Sequence, residues 1–175
     1  LVQGWKVDPA LKQSKENAIA IEWFNSRFDE QLGIINDHYS KYRMSDALMA
    51  TYKLVWDDFC AWYLEMVKPE FVEGNSLPID ASTYKATISN FEKLLKVVHP
   101  LMPFISEELW HLLDEDRSSD CIIIAKWPVQ NKVDSKLLAS FTIASEVITQ
   151  IRNIRVQKNI SPKEQMSLFV KSGDK

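Results

Sequence analysis

Three observations predict a mostly α fold, an antiparallel helical bundle with a small α+β C-terminal appendage. Only four glycines and seven prolines interrupt 175 residues, too few turn formers for a many-stranded β fold. The composition is 46% apolar with 19 aromatic residues, ample material for a packed core and far too much for disorder. The apolar residues also recur at three- and four-residue steps through most of the chain, the period of helices with one buried face. A chain of this length makes one domain, or one domain with a small addition.

The first helix is read from Ile21, Phe24, Phe28, Leu32, Ile35, Tyr39 and Tyr42, a stripe starting near Asn17, with Glu22, Asn25, Asp29, Glu30 and Asn36 on the wet side. Gly33 weakens this helix without ending it. Ser45 and Asp46 are expected to cap a second helix with the stripe Leu48, Tyr52, Val55, Phe59, Trp62 and Met66. Trp56, Cys60, Tyr63 and Val67 widen that stripe, so the helix is expected at the centre of the bundle, closed by Pro69. Residues 70–79 read as a loop. Asp80 then caps a third helix with Tyr84, Ile88, Phe91, Leu95 and Val98, and Pro103 opens a fourth through Leu109, Trp110, Leu112 and Leu113.

Beyond these the pattern changes. Residues 114–120 form an acidic loop, and the β-branched run 121–125 reads as a strand or an extended segment. Asp134 caps a fifth helix carrying Leu137, Phe141, Ala144, Ile148, Ile151 and Ile154, and Met166, Leu168 and Val170 alternate as in a strand. The expected division is a bundle over 1–128 and an appendage, helix plus short strand, over 129–175.

Charge and cysteine bound the setting. A net charge of −3 excludes a general polycation, so any nucleic-acid binding must be local. Cys60 and Cys121 stand far apart without a C-x-x-C pairing, which fits a reducing, cytoplasmic setting better than a disulfide or zinc framework. No apolar run reaches membrane-span length, so no membrane partner is expected.

The chemistry candidates are few. Glu108 and His111 form one Glu-x-x-His, a spacing that di-iron bundles use twice with two further glutamates; a surface histidine on an amphipathic helix explains it more simply. His38 and His99 have no nucleophile or acid partner at a recognisable spacing. With so few glycines, neither G-x-x-x-x-G-K nor G-x-G-x-x-G can be written, so no phosphate loop and no cofactor site is expected. The cations are more suggestive. Residues 107–120 hold six acids, whereas Arg152, Arg155, Lys158, Lys163, Lys171 and Lys175 cluster late. Arg152 and Arg155 are neighbours on one helical face with Lys158 a step further, as phosphate contacts require, though cations near a helix C-terminus also suit its dipole. Lys41, Arg43 and Lys53 make a second cluster, also compatible with an ordinary surface. Trp5, Trp23, Trp56 and Trp62 have rings able to stack on unpaired bases, but most are expected in the core, Trp5 being least committed.

Four segments carry a resemblance: WDDFCAWYLEMVKP at 56–69, HPLMPFISEELW at 99–110, AKWP at 125–128 and IRNIRVQKNISP at 151–162. In order and spacing, from about Gly4 to Pro162, the chain resembles the anticodon-binding region of class I aminoacyl-tRNA synthetases. The second segment is shared with isoleucine and leucine enzymes, while the aromatic-rich first and the late IRNIR stretch resemble the valine enzymes. The resemblance implies a cytoplasmic domain that holds the anticodon stem and loop of valine tRNA while a separate ATP-dependent catalytic domain, of a monomeric parent, joins valine to the 3′ end. The signatures HIGH and KMSKS are missing, and KYRMSD at 41–46 is no substitute, so no catalytic residue is expected here. The resemblance also implies that part of the base-reading surface lies in a helix before the segment matching 1–7, and the coiled-coil arm typical of the valine enzymes is not among these residues. Arg43 and Lys53 are then the expected contacts near the loop, and Arg152, Arg155 and Lys158 the backbone contacts. The alternatives are the isoleucine or leucine domain, a helical protein-interaction module without RNA binding, and a metal-dependent bundle built on Glu108 and His111.

Overall fold

The computed structural model describes residues 4–72, 75–113, 120–161, 164, 165, 167 and 169. The expected acidic loop, apart from Asp120, lies outside the described residues, as do the alternating Met166, Leu168 and Val170 and the cations Lys163, Lys171 and Lys175. The chain divides into two compact units, Leu1–Leu138 and Ala139–Lys175. No helix among the described residues is long and apolar enough to cross a membrane.

In the first unit, helix α1 spans Lys15–Ser40, starting slightly earlier than its apolar stripe suggests because the Ser14 hydroxyl accepts the Asn17 N–H at 3.0 Å. Trp23, Phe24, Phe28, Leu32 and Ile35 are its buried row. The helix ends in a reverse turn in which the Arg43 N–H bonds the His38 carbonyl at 2.9 Å and the Tyr42 N–H bonds the Tyr39 carbonyl at 3.1 Å. Tyr42 therefore leaves the helix in the left-handed region, at φ 56°, and is 90% exposed instead of closing the buried stripe. Glycine normally fills this position, since a Cβ there is strained.

The second helix corrects the expectation most. It begins at Met44, so neither Ser45 nor Asp46 is its cap. It runs as α2, Met44–Lys53, then as a π-helix, Leu54–Tyr63, then as α3, Leu64–Val67. The Leu64 N–H bonding the Phe59 carbonyl shows the i→i+5 winding. The buried row is Leu54, Phe59, Tyr63 and Val67, with first steps of five and four, which the wider turn aligns and an α-helix does not. Leu48, Tyr52 and Trp56, expected inside, are exposed.

Residues 70–79 contain two short pairings in place of a plain loop. β2, Phe71–Val72, pairs antiparallel with β3, Asn75–Ser76, and β4, Ile79–Asp80, pairs parallel with β1, Val7–Asp8. Asp80 then caps α4, Ala81–Val98, accepting the Thr83 N–H at 2.8 Å. The inner row of α4 is Thr83, Thr87, Asn90, Leu94, Leu95 and Val97. Tyr84, Ile88, Phe91 and Val98, expected there, are only half-buried, because hydroxyls satisfied inside the bundle take the inner places. The buried Tyr63 hydroxyl meets Thr87 Oγ1 at 2.9 Å, and Thr87 donates to the Thr83 carbonyl. Phe24 is the hub of the core, its ring centroid 4.8 Å from Tyr63 and 5.2 Å from Phe59.

Helix α5, Pro103–Leu113, packs beside α4, where Leu95, Trp110 and Ile122 form a smaller cluster. Ile122–Ile124 is a short 3-10 turn, not a strand, which lets Ile122 turn inward while the Trp110 indole N–H donates to the Asp120 carbonyl. The following segment runs along α1. Trp127 Nε1 donates to Asn36, Asn131 N–H to Asp29, and Asp134 N–H to Ser26. These bonds place 129–138 in the first unit, although the sequence pattern groups them with the appendage. Asp134 Oδ1 accepts the N–H groups of Lys136 and Leu137 and so caps helix α6, Ser135–Gln157.

In the second unit the remainder of α6 leaves Ile143, Val147, Ile148, Ile154 and Val156 exposed, so its stripe does not make a closed core. A left-handed Asn159, φ 51°, ends the helix, with the Ile160 N–H bonding the Arg155 carbonyl at 2.9 Å.

Candidate nucleic-acid interface

The first unit's cations flank helix α2. Arg43 stands at its N-cap and Lys53 at its last residue, and both are exposed. Lys41 is committed elsewhere. Its ammonium lies 2.7 Å from Asp37 Oδ1, and its hydrogen bond is the chief cause holding that carboxyl below the usual range. From the turn before this helix into the π-helix after it, apolar groups face solvent. Leu48, Tyr52 and Trp56 succeed one another at four-residue steps, and Tyr42, Met44 and Met49 are exposed as well. Tyr52 and Trp56 are 53% and 60% exposed, with near-parallel planes (12°) and centroids 6.3 Å apart. Two parallel rings open to solvent, on a helix that also carries exposed cations, suit stacking on unpaired bases with charge held to the phosphates. An exposed apolar cluster of this kind marks a contact surface.

Charge chemistry lies beside that face. Asp58, in the π-helix, has a carboxyl pushed up to about 6, chiefly by burial and further by Asp57 and Glu30, with Arg27 opposing. Arg27 reaches from α1, its Nε 3.4 Å from Asp58 Oδ1 without hydrogen-bond alignment and its Nη1 bonded to Glu30 Oε2 at 2.6 Å.

The second unit carries the other three expected cations. Arg152 and Lys158 are exposed. Arg155 is half-buried, and its guanidinium donates to the Ser161 carbonyl at 2.6 Å and the Glu164 carbonyl at 2.9 Å. It braces the turn after α6, a use that the i, i+3 spacing with Arg152 did not suggest.

The competing sites fare differently. His111 Nε2 lies 3.0 Å from Glu107, which also accepts the Ile122 N–H, whereas Glu108 is exposed. The helix-to-turn tie, not Glu-x-x-His ligation, is what this histidine serves, and no group of three or more potential ligands occurs among the described residues. His99 does have a serine partner, contrary to the sequence reading, with Nδ1 2.8 Å from Ser106 Oγ. Ser106 is fully buried and its hydroxyl donates to the Met102 carbonyl at 2.7 Å, so the pair fastens the start of α5 and offers no nucleophile. Cys60 is half-buried with its thiol pushed up by burial. Among the tryptophans, Trp23 is core, Trp5 and Trp62 are half-buried, and Trp56, expected inside, is the outward ring. Periodicity placed Tyr42, Tyr52 and Trp56 on buried stripes, and the structure turns them out as candidate contacts. The available signal was a second helix apolar on nearly every side, more surface than its neighbours can cover.

Comparison with known proteins agrees with this geometry. Residues 22–170 match the family described as the anticodon-binding domain of tRNA ligase. The chain is 48% identical over 170 residues to a valine–tRNA ligase of Christiangramia forsetii and 45% identical over 170 residues to that of Parabacteroides distasonis, in each case over 97% of this chain and 19% of the relative. It is 33% identical over 160 residues to a valine–tRNA ligase of Laribacter hongkongensis, over 89% of this chain and 17% of the relative. The chain thus spans about a fifth of the length of the relatives it matches. With a helical bundle that turns aromatic rings and cations outward from one helix, and with this match over most of its length, the chain belongs to the anticodon-binding domain family of tRNA ligases.

Proposed function

We propose that this chain holds the anticodon stem and loop of valine tRNA while a catalytic domain elsewhere in a longer polypeptide uses ATP to join valine to the 3′ end. The observation that carries this reading is the outward Tyr52–Trp56 pair on a helix that has Arg43 at its start and Lys53 next in sequence to Tyr52. The valine assignment is supported by the names of the relatives that share this stretch. The same reading puts the protein in the cytoplasm, as a monomer, with ATP bound outside the residues described here.

In this mechanism the cations hold phosphates and the rings hold bases. Arg43 and Lys53 are assigned to the loop backbone, and Arg152, Arg155 and Lys158 to a second stretch of phosphates, with Arg155 also shaping the turn that carries Lys158. Phosphate contacts set register without reading sequence. A base stacked on Trp56 or Tyr52 contributes about 1–3 kcal/mol whatever its identity, so sequence must be read by polar groups at the base edges.

The test is titration of labelled valine tRNA against the full-length polypeptide at two salt concentrations. Replacing Arg43 and Lys53 together with alanine is expected to weaken binding and to flatten the salt slope by about 1.4, from roughly 0.7 per single-strand phosphate contact. Unchanged affinity and slope would remove these residues from the interface, and equal affinity for a non-valine tRNA would remove the valine assignment.

A further inference from the structure

We infer that Arg27 is a positioning residue for the aromatic face. By reaching from α1 to Asp58 it holds the wide-turn winding of residues 54–63 that leaves Tyr52 and Trp56 outward. This inference rests on the tRNA-binding reading, which gives the outward rings their use.

Three unfavourable features meet in this one stretch. A π-helix is normally a single-turn bulge, often at a functional site, yet here it runs from Leu54 to Tyr63. The Arg27 and Asp58 side chains are only 24% and 17% exposed, and an ion pair so far withdrawn from water returns little stability for its desolvation. Immediately before and within the stretch, two large rings face solvent. When local rules are broken together at adjacent positions, function is the expected reason.

The geometry links the three. With Leu54 inward, an ordinary α-helix would carry Phe59 well round towards the outer side, whereas the wider turn brings Phe59 and Tyr63 into line with Leu54. The residue before Phe59 then comes to the edge facing α1, and that residue is Asp58. Arg27 meets it there with Nε as an ion pair, while Glu30 bonds Nη1 on the same guanidinium, so one fork faces both carboxylates. Asp57, the neighbouring acid, is exposed. A lysine supplies one point charge in place of that fork, so it should substitute only in part.

The experiment compares Arg27→Ala, Arg27→Lys, Trp56→Ala and the Arg27→Ala/Trp56→Ala double variant in the full-length polypeptide. Two quantities are read: the dissociation constant for valine tRNA, and acrylamide quenching of Trp56 emission, taken as the difference from a matched Trp56→Phe protein. Arg27→Ala is expected to weaken binding roughly fivefold and to change Trp56 quenching, and Arg27→Lys to recover part of both, since the loss comes through the stacking ring. The double variant should bind no more weakly than Trp56→Ala alone. Fully additive losses, or unchanged Trp56 quenching in Arg27→Ala, would overturn the inference. If Arg27→Ala fails to fold, Asp58→Asn enters the same cycle with the same expectations. If the unsubstituted protein binds no tRNA, the functional reading fails, and the quenching comparison alone decides whether Arg27 sets the ring's exposure.

Discussion

Helix α1 and the helix that follows it carry similar amounts of apolar material and use it in opposite ways. α1 sends Trp23, Phe24, Phe28, Leu32 and Ile35 inward and exposes no large ring; Asp29, expected on its wet side, is buried under the 127–134 segment, where it accepts the Asn131 N–H. The next helix sends only Leu54, Phe59, Tyr63 and Val67 inward from its second half and turns Leu48, Tyr52 and Trp56 to solvent. The first arrangement is what stability alone requires. The second exchanges buried area for a surface, and the difference separates residues that hold the fold from residues that meet a partner.

Phe24→Ala should mark the stable side of that contrast most strongly. Phe24 is fully buried among three rings, so its loss should cost about 3–5 kcal/mol, read as a lower urea midpoint. A loss under about 1 kcal/mol would mean that the hub is not where the stability lies.

Asp58 should give the next largest effect, and with a definite sign. Its carboxyl is raised from 3.8 to about 6, so the folded state holds the proton more tightly than the unfolded one. The stability this confers is complete below about pH 3.8 and is lost as pH rises through about 6. Relative to Asp58→Asn, the natural protein should therefore lose roughly 2 kcal/mol between pH 4 and pH 7. A difference between the two that stays flat with pH would contradict the buried carboxyl.

On the contact side, Trp56→Ala should leave the urea midpoint within about 0.5 kcal/mol while weakening tRNA binding by about 1–3 kcal/mol. If stability fell and affinity did not, Trp56 would belong with α1's residues after all. The smallest effect is the most telling. Tyr42→Gly relieves a left-handed tyrosine and should raise stability by about 1 kcal/mol, while binding weakens, because the exposed ring is lost. A destabilised Tyr42→Gly protein would show that the ring has a structural task.

Much of this fold was legible before any coordinates. Asp80 and Asp134 cap the helices they were expected to cap, Pro103 opens α5, and the stripe of α1 is buried from Phe24 to Ile35, because caps and 3.6-residue periodicity are local properties. The two short strand pairings were not legible, since β1 and β4 meet across some seventy residues through backbone bonds that leave no side-chain pattern. The hydroxyl-bearing inner face of α4 was missed for a related reason: Thr83 and Thr87 read as polar until their partners inside the bundle are known. The site divided in the same way. Arg43 and Lys53 were candidates from charge alone and are exposed, whereas Tyr52 and Trp56 fit a 3.6-residue core stripe and only the π winding shows them outside. Arg155's hold on two carbonyls depends on a chain reversal that spacing cannot reveal.

The i→i+5 winding of Leu54–Tyr63 makes that stretch sensitive to counting as well as to chemistry. Dropping a single residue from it, even a solvent-facing one such as Ala61, would leave nearly every functional group in place yet let the backbone relax toward ordinary helix. Everything upstream would then be rotated against everything downstream, and rings that had been offered to RNA would swing against the neighbouring helix. Small deletions here should be less well tolerated than most single replacements, the reverse of what is usual for an exposed loop.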